Sequence, residues 1–260
     1  MAKVYPLFSS SKGNATFIGN ANSGILVDVG VSFKRLNQGL EICGLNANAV
    51  KAIFITHEHS DHISGLSVFS KHFNIPVYAK PSTIDYLIKN EKISTTTKIF
   101  SCEGDICVDD MKIKSFDTMH DTEQSCGYTI FTGDEKKISI CTDLGKITDV
   151  VEKNILGSDL VLLESNYDEN MLMNGCYPQH LKQRIASQYG HLSNSHSALM
   201  VKKLIENGTT RIFLGHLSQE NNTPSIAEAT SLKMLSQFKR NKDYILEVAP
   251  VCTSGQKMIF

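Results

Sequence analysis

The stretch FITHEHSDHISG, residues 54–65, places three histidines and two acidic residues within six positions, directly after an apolar run. His57 and His59 are two residues apart, so at an extended strand end their side chains share a face and can bind one metal ion. Asp61 and His62 follow where the chain turns toward a helix, close enough to serve a second ion. Imidazole and carboxylate ligands suit Zn, Mn or Fe, so the stretch predicts a metal site rather than a solvated loop.

The composition favours one large α/β domain over residues 1–260. The chain is 41% hydrophobic, and no change of composition suggests a domain boundary. Its formal net charge is -1, so no overall basic field indicates nucleic acid by itself. The N-terminal segment lacks a continuous apolar signal region, and no later run approaches the length of a membrane span. We therefore expect a cytoplasmic protein that does not bind a membrane.

Short apolar runs alternate with amphipathic stretches, which predicts a sheet in the middle and helices outside. Residues 15–30 are typical of a β-hairpin, since two apolar segments flank an Asn/Gly/Ser cluster. Ser32 is predicted to cap the next helix, residues 63–73 fit another, and Thr223 begins a third before Pro224. Strands are predicted in the apolar runs at 51–56, 111–116, 127–132, 137–142, 160–164, 211–216 and 244–248.

Three further polar residues lie where a predicted strand meets a loop. They are His120, Asp143 and His216. Each of them alone is more often a capping or solvated residue, but together with the histidine cluster they become candidate metal ligands. Five histidines and two aspartates are too many for a single four-coordinate ion, so the sequence predicts two divalent metal ions.

The pattern HxHxDH after an apolar strand resembles the signature of the metallo-β-lactamase-like hydrolases. Other landmarks of that family follow in order, in the segments VDVG (Asp28), DTMHD, CTDLG and FLGHLS. The resemblance implies a four-layered αββα sandwich, with the two-metal site at one edge of the sheets and Asp28 orienting that site. The implied ligands are His57, His59 and His120 for one metal, Asp61, His62 and His216 for the other, and Asp143 as the bridge.

This fold hosts lactamases, glyoxalases, oxidoreductases and nucleases, so the substrate class needs a separate argument. Two divalent ions contribute about +4 charges, and two carboxylates with a bridging hydroxide remove about 3, which leaves the occupied site near +1. An anion is therefore preferred, which favours phosphate esters over neutral lactams.

Residues 189–222 contain a second histidine motif. His191 precedes a predicted helix and strand that lead to His216, and this order resembles the tRNA 3′-processing endonuclease branch of the superfamily. The resemblance implies that His191 protonates the leaving group and that Glu164 orients it, with Ser193 and Asn194 beside the substrate. A metal-bridging hydroxide is then the nucleophile, and Asp61 is a candidate to hold or deprotonate it.

Within the superfamily, the chain resembles the bacterial YycJ (WalJ)-like group. The segments LFSSSKGNATFIG, LLESNYD and LGHLSQENNTP carry this resemblance. It implies a metal-dependent DNA exonuclease that acts from the 5′ end. The chain lacks the inserted domain of the β-CASP nucleases and the long arm of tRNA-processing relatives, so we expect DNA rather than RNA as the partner.

Two sets of residues are candidates to contact the phosphates of a nucleic acid. In the segment SSSKGN, Ser10, Ser11 and Asn14 offer hydroxyl and amide groups, and Lys12 adds charge. Four basic residues later in the chain could follow the sugar–phosphate backbone: Lys182, Arg184, Lys202 and Lys203.

Other reaction classes stay open on the same metals. Hydrolysis of a small ester or thioester, as in glyoxalase II, needs less help for its leaving group than a phosphodiester does. RNA processing is a further alternative. An iron oxidoreductase would need a flavin partner domain, and no Gly-rich dinucleotide fingerprint is present.

Overall fold

The computed structural model describes residues 2–260 and folds them into two stacked sheets of seven strands each. Across the first sheet, the strands are Met258–Ile259 (β14), Lys3–Phe8 (β1), Ala15–Gly19 (β2), Gly24–Val27 (β3), Val50–Phe54 (β4), Val77–Ala79 (β5) and Ile99–Ser101 (β6). Across the second, they are Ile245–Val248 (β13), Arg211–Gly215 (β12), Leu160–Glu164 (β11), Lys137–Cys141 (β10), Ser125–Phe131 (β9), Met111–Thr118 (β8) and Asp105–Val108 (β7).

Helices cover the outer face of each sheet. The α-helices are Phe33–Ile42 (α1), Ser60–Ile63 (α2), Leu66–Phe73 (α3), Pro81–Lys89 (α4), Asp149–Ile155 (α5), Glu169–Asn174 (α6), Gln179–Ile185 (α7), Asn194–Glu206 (α8) and Pro224–Met234 (α9), and Ala47–Ala49 forms a short 3-10 helix. Apolar residues of α1, α3 and α4 pack on the first sheet, and those of α5, α8 and α9 pack on the second. None of the helices within residues 2–260 combines the length and apolarity that crossing a membrane requires.

Both faces of the central strands are buried, because successive side chains point in opposite directions. In β4, Ile53 packs under the helices while Phe54 enters the layer between the sheets. In β11 of the second sheet, Val161 packs under the helices and Leu162 enters the layer between the sheets. This pattern explains why these strands are continuous apolar runs. The predicted four-layered αββα sandwich is confirmed.

Local signals placed two of the three predicted helix starts correctly. The side chains of Ser32 and Thr223 accept hydrogen bonds from the first turns of α1 and α9. The helix predicted over residues 63–73 is wrong at its start, since α2 ends at Ile63 and α3 begins at Leu66. The break lies at Gly65, where a Cβ atom would come within 2.0 Å of the Val31 carbonyl oxygen.

The second sheet fixes the segment that leads into the histidine cluster. The Tyr128 hydroxyl in β9 donates a hydrogen bond of 2.6 Å to the carbonyl of Ile55, and the Cys126 N–H donates to the carbonyl of Thr56. These two acceptors directly precede His57. Contacts between the sheets therefore set where the cluster begins.

We expect Tyr128→Phe to lower the free energy of unfolding by about 1–3 kcal/mol, because it leaves the buried Ile55 carbonyl without its hydroxyl donor. Chemical denaturation with urea measures the change. Tyr244→Phe is the matched control, since the Tyr244 hydroxyl is also on a buried residue but makes no hydrogen bond to another of residues 2–260. Equal stability of the two variants would contradict the assigned role of Tyr128.

Candidate metal and catalytic site

Side chains at the carboxyl ends of several strands meet at one edge of the two sheets. His57 follows β4 in the first sheet, while His120, Asp143 and His216 follow β8, β10 and β12 in the second. The strands β10, β11 and β12 run parallel, so their carboxyl ends share that edge. The sequence-predicted residues from distant segments are thereby brought together.

Three residues at this edge have left-handed backbone conformations. The φ angles are 62° at Asp28, 59° at Asp143 and 55° at His216. Such a conformation costs a residue with a side chain about 1–3 kcal/mol and persists only where the surrounding structure enforces it. The strand ends therefore bend sharply at the positions where polar side chains turn toward one another.

His57, His59 and His120 form the first potential metal-binding group, with their ligand atoms within 4.8 Å of one another. His57 is fully buried, and His59 lies at the opening of the site. Burial and the neighbouring His62 lower the pKa of His57 well below its ordinary value. His57 is therefore held as a neutral imidazole, the form that binds a metal.

Asp61, His62 and His216 form a second potential group beside the first. The Oδ2 atom of Asp61 lies 3.4 Å from Nε2 of His62 and 3.5 Å from Nε2 of His216. Asp143 stands between the groups: its Oδ2 is 3.3 Å from Nε2 of His62, and its Oδ1 is 3.5 Å from Nε2 of His216 and 3.8 Å from Nε2 of His120.

The donor atoms of this cluster fit divalent metal ions. Nε2 of His57, Nε2 of His216 and Oδ2 of Asp143 are buried and make no hydrogen bond within residues 2–260. Burial would lower the pKa of His62, but the carboxylates of Asp143, Asp28 and Asp61 outweigh burial and raise it well above its ordinary value. The centre of the cluster thus attracts a cation, and its imidazole and carboxylate atoms suit Zn, Mn or Fe.

Asp28 sets the orientation of His62. Its Oδ2 accepts a hydrogen bond of 2.8 Å from Nδ1 of His62, which leaves Nε2 facing the cluster. Thr56 donates its N–H and its hydroxyl to the same carboxylate. Within residues 2–260, Asp28 belongs to none of the potential metal-binding groups, and the orienting role that the resemblance implies for it stays a prediction.

Glu164 performs the corresponding task in the second sheet. It is fully buried, and its Oε1 atom accepts hydrogen bonds from Nδ1 of His216 at 2.9 Å and from Nδ1 of His191 at 2.8 Å. Its Oε2 accepts from the backbone N–H groups of Leu144 and Leu192. Although Glu164 lies close enough to share an ion with its neighbours, four hydrogen bonds occupy its carboxylate, so we assign it to positioning.

His191 lies at the side of the cluster, with its ring centre 5.1 Å from that of His120 and 5.3 Å from that of His216. Burial would lower the pKa of His191, but the adjacent Glu164 carboxylate outweighs it and raises the pKa above its ordinary value. The side chain remains 21% exposed. An imidazole whose pKa is raised and that stays open to solvent beside the cluster of candidate ligands has the position of a general acid.

Comparison with known proteins assigns the family. The family model described as "Beta-lactamase superfamily domain" matches residues 24–216. The chain belongs to this superfamily. It is 36% identical over 235 residues to Exodeoxyribonuclease YycJ of Bacillus anthracis, covering 89% of this chain and 88% of that protein. It is 34% identical to Exodeoxyribonuclease WalJ of Streptococcus pneumoniae, covering 89% and 87%.

A solved structure agrees with the superfamily fold. The metallo-β-lactamase fold protein YhfI from Bacillus subtilis superposes with a TM-score of 0.74 at 17% identity, covering 99% of this chain and 98% of that one. The predicted membership of the YycJ (WalJ)-like group of the superfamily is confirmed, as is the prediction of a metal-dependent hydrolase.

Two of the residues predicted to lie beside the substrate form hydrogen bonds with other residues of the protein. The Ser193 side chain caps α8 by accepting from the N–H of His196. Asn194 is fully buried and exchanges hydrogen bonds with Asn222 and Ser165. Both side chains are buried, and a contact with substrate stays a prediction for them. They fix the start of the helix that follows His191.

The segment SSSKGN lies beside the second potential metal-binding group. Nδ2 of Asn14 is 3.3 Å from Oδ2 of Asp61 and 3.1 Å from Nε2 of His62, and it donates to the carbonyl of Ser10. Ser10 is buried, whereas Ser11 and Lys12 are exposed. Of the predicted phosphate contacts in this segment, Asn14 is therefore closest to the cluster, whereas Ser11 and Lys12 are the accessible ones.

Sequence reasoning missed two further residues of the site. Asn166 donates to the carbonyl of His216 and lies 3.3 Å from its Nδ1. Asp121 follows His120, and its Oδ1 is 3.1 Å from Nε2 of that residue. Their positions next to a strand end and next to a predicted ligand were the available signals.

We expect Asp28→Asn to weaken metal binding by about 10–100-fold, because the amide no longer offers Nδ1 of His62 a charged acceptor. Competition with a chromogenic chelator measures the affinity. Asp117→Asn is the control, since Asp117 pairs with Lys80 and its side chain is 75% exposed. An unchanged affinity in the folded Asp28 variant would refute the orienting role.

Proposed function

We propose that the protein is a metal-dependent DNA exonuclease that hydrolyses phosphodiester bonds from the 5′ end of a strand. The observation that carries this proposal is the contact of 2.8 Å between His191 and the buried Glu164 at the edge of the metal-binding cluster. Identity of 34–36% to proteins named exodeoxyribonucleases supports DNA rather than RNA as the substrate. The cytoplasm is the proposed location.

In this proposal the cluster would hold two divalent ions, Zn, Mn or Fe. His57, His59 and His120 would bind one, Asp61, His62 and His216 the other, and Asp143 would contribute to both. When bound, the ions would activate a water nucleophile and offset the charge that develops on a phosphate. Once the two carboxylates and a hydroxide are counted against the two ions, the site keeps about one net positive charge, which favours an anionic ester.

His191 supplies the proton for the departing oxygen. Its Nδ1 is hydrogen-bonded to Glu164, so Nε2 is the atom that can face a substrate. The Glu164 carboxylate favours the protonated ring, and release of the Nε2 proton leaves a neutral imidazole that keeps its hydrogen bond to Glu164. Proton donation of this kind typically accelerates a reaction by about 10²–10⁴-fold.

Asp61 acts as a metal ligand near the nucleophile and does not remove the proton of the nucleophile. Burial alone would raise the pKa of Asp61, but His62 and His216 hold it below its ordinary range. A carboxylate that resists protonation is a weak general base. It is a good metal ligand, and Nδ2 of Asn14 is positioned to orient its Oδ2.

The test compares cleavage of end-labelled single- and double-stranded DNA and RNA, with 5′-phosphate or 5′-hydroxyl ends, in Mn²⁺ or Zn²⁺. We expect release of mononucleotides from DNA 5′ ends by the wild type. Asp61→Ala should abolish it through loss of metal binding, which metal analysis of the purified variant checks separately. A wild type that binds metal yet cleaves no nucleic acid would refute the nuclease and favour a small-ester hydrolase.

We expect His191→Ala to lower kcat on DNA by about 10²–10⁴-fold with its metal content unchanged, because a general acid is lost. A nucleotide p-nitrophenyl phosphodiester should lose far less, since p-nitrophenolate departs without a proton. His196→Ala is the control, an exposed histidine in α8. Equal losses on both substrates would contradict leaving-group protonation.

A further inference from the structure

A short helix and the loop after it lead to His191 at the side of the cluster of candidate ligands. The helix is α7, and residues 186–190 connect it to His191. Arg184 lies in the last turn of this helix, with its side chain 62% exposed. Asp121, which has no role in the proposed reaction, connects this guanidinium to the cluster.

One carboxylate joins Arg184 to the histidines of the first group. Nε of Arg184 donates a hydrogen bond of 2.6 Å to Oδ2 of Asp121, and Nη2 donates to the same atom. The other oxygen of Asp121 is 3.1 Å from Nε2 of His120 and 3.9 Å from Nε2 of His59. The guanidinium is therefore one carboxylate away from the atoms that face the cluster.

The backbone around Arg184 is fixed relative to the proposed general acid. The N–H of His191 donates a hydrogen bond of 2.9 Å to the carbonyl of Ile185, and Nδ1 of His120 contacts the carbonyl of Gly190 at 3.0 Å. A Cβ atom on Gly190 would lie 2.1 Å from the Ile185 carbonyl and 2.3 Å from that of Arg184, so the loop packs directly on the end of α7. Arg184, His120 and His191 thus belong to one tightly connected unit.

Arg184 keeps unused hydrogen-bond donors at the opening. Of the five N–H groups of a guanidinium, Asp121 occupies one on Nε and one on Nη2. Nη1 makes no hydrogen bond to any residue in the described part of the chain, so the Nη1–Nη2 edge is free. This edge matches two oxygens of a phosphate.

The other three basic residues predicted to follow a DNA backbone have different positions. Nζ of Lys182 donates to the carbonyl of Met173, and Lys182 is buried. Lys202 and Lys203 pair with Glu206 and Glu152 on α8 and α5. Among these four predicted contacts, Arg184 alone is joined to a histidine of the cluster.

We propose that Arg184 binds, through its Nη1–Nη2 edge, the phosphate adjacent to the scissile phosphate of a DNA strand, while Asp121 holds the guanidinium in place. The proposal rests on the nuclease function proposed above. A planar guanidinium can hold a phosphate at a defined distance from the cleaved bond, and it would thereby set which linkage reaches the cluster. Arg184 is a specificity residue in this scheme and takes no part in proton transfer.

The first test measures steady-state kinetics on single-stranded DNA for the wild type and Arg184→Ala. We expect KM to rise about tenfold on removal of one bidentate phosphate contact, with kcat changing less than about threefold. The slope of log affinity against log salt concentration should become shallower by about 0.7, the value for one phosphate contact on a single strand. Arg184→Lys should recover the salt slope but only part of the KM.

A second measurement identifies the phosphate. Oligonucleotides carry a single neutral methylphosphonate at each linkage on either side of the cleaved bond. We expect the wild type to show a raised KM when one adjacent linkage is neutral, and Arg184→Ala to show no further rise at that linkage. Arg240→Ala is the control, because Arg240 pairs with Glu228 of α9, away from the cluster.

The outcomes separate the two proposals. If the wild type neither binds nor cleaves DNA, the nuclease function fails and this inference fails with it. If the wild type cleaves DNA but Arg184→Ala keeps its KM, its salt slope and its sensitivity to methylphosphonate, only the role of Arg184 is overturned. A fall in kcat with an unchanged KM also overturns it, since binding of an adjacent phosphate would not act on the chemical step alone.

Discussion

The candidate site depends on hydrogen bonds that fix the far side of each imidazole ring. Nδ1 of His62 is held by Asp28, Nδ1 of His216 by Glu164, and Nδ1 of His120 by the carbonyl of Gly190. With Nδ1 engaged, Nε2 is the atom that faces the cluster, and it can bind a cation once it is deprotonated. The acceptors are buried, so they are shielded from water and hold one orientation of each ring.

The two sheets make this arrangement possible because each supplies part of it. Asp28 and the histidine cluster follow strands of the first sheet, whereas in the second sheet Asp143 and His216 follow strands and Glu164 is the last residue of β11. The apolar layer between the sheets fixes their separation. Left-handed backbone at Asp28, Asp143 and His216 is the conformational cost of turning the side chains inward, and the surrounding strands enforce it.

Glu164 connects a candidate metal ligand to the proposed general acid. The same oxygen accepts from Nδ1 of His216, a candidate ligand, and from Nδ1 of His191, the proposed general acid. The other oxygen accepts backbone N–H groups from the loops that follow β10 and precede α8. In the proposed reaction, this one buried carboxylate would set the spacing between nucleophile activation and leaving-group protonation.

The sequence by itself determined the fold and most of the candidate site. Two observations were sufficient: the histidine cluster after a buried strand, and the order of Asp28, His120, Asp143 and His216 along the chain. Candidate metal ligands can be recognised locally because they are unusual residue types at strand ends. Strand burial could also be predicted, since strands covered on both faces are continuously apolar. Tertiary structure decided the rest, because a small polar residue has the same appearance in a sequence whether it meets solvent or fills an internal hydrogen bond. That is why the internal partners of Ser193 and Asn194 could not be predicted, and why the link from Arg184 through Asp121 to His120 became visible only when segments 63 residues apart were brought together.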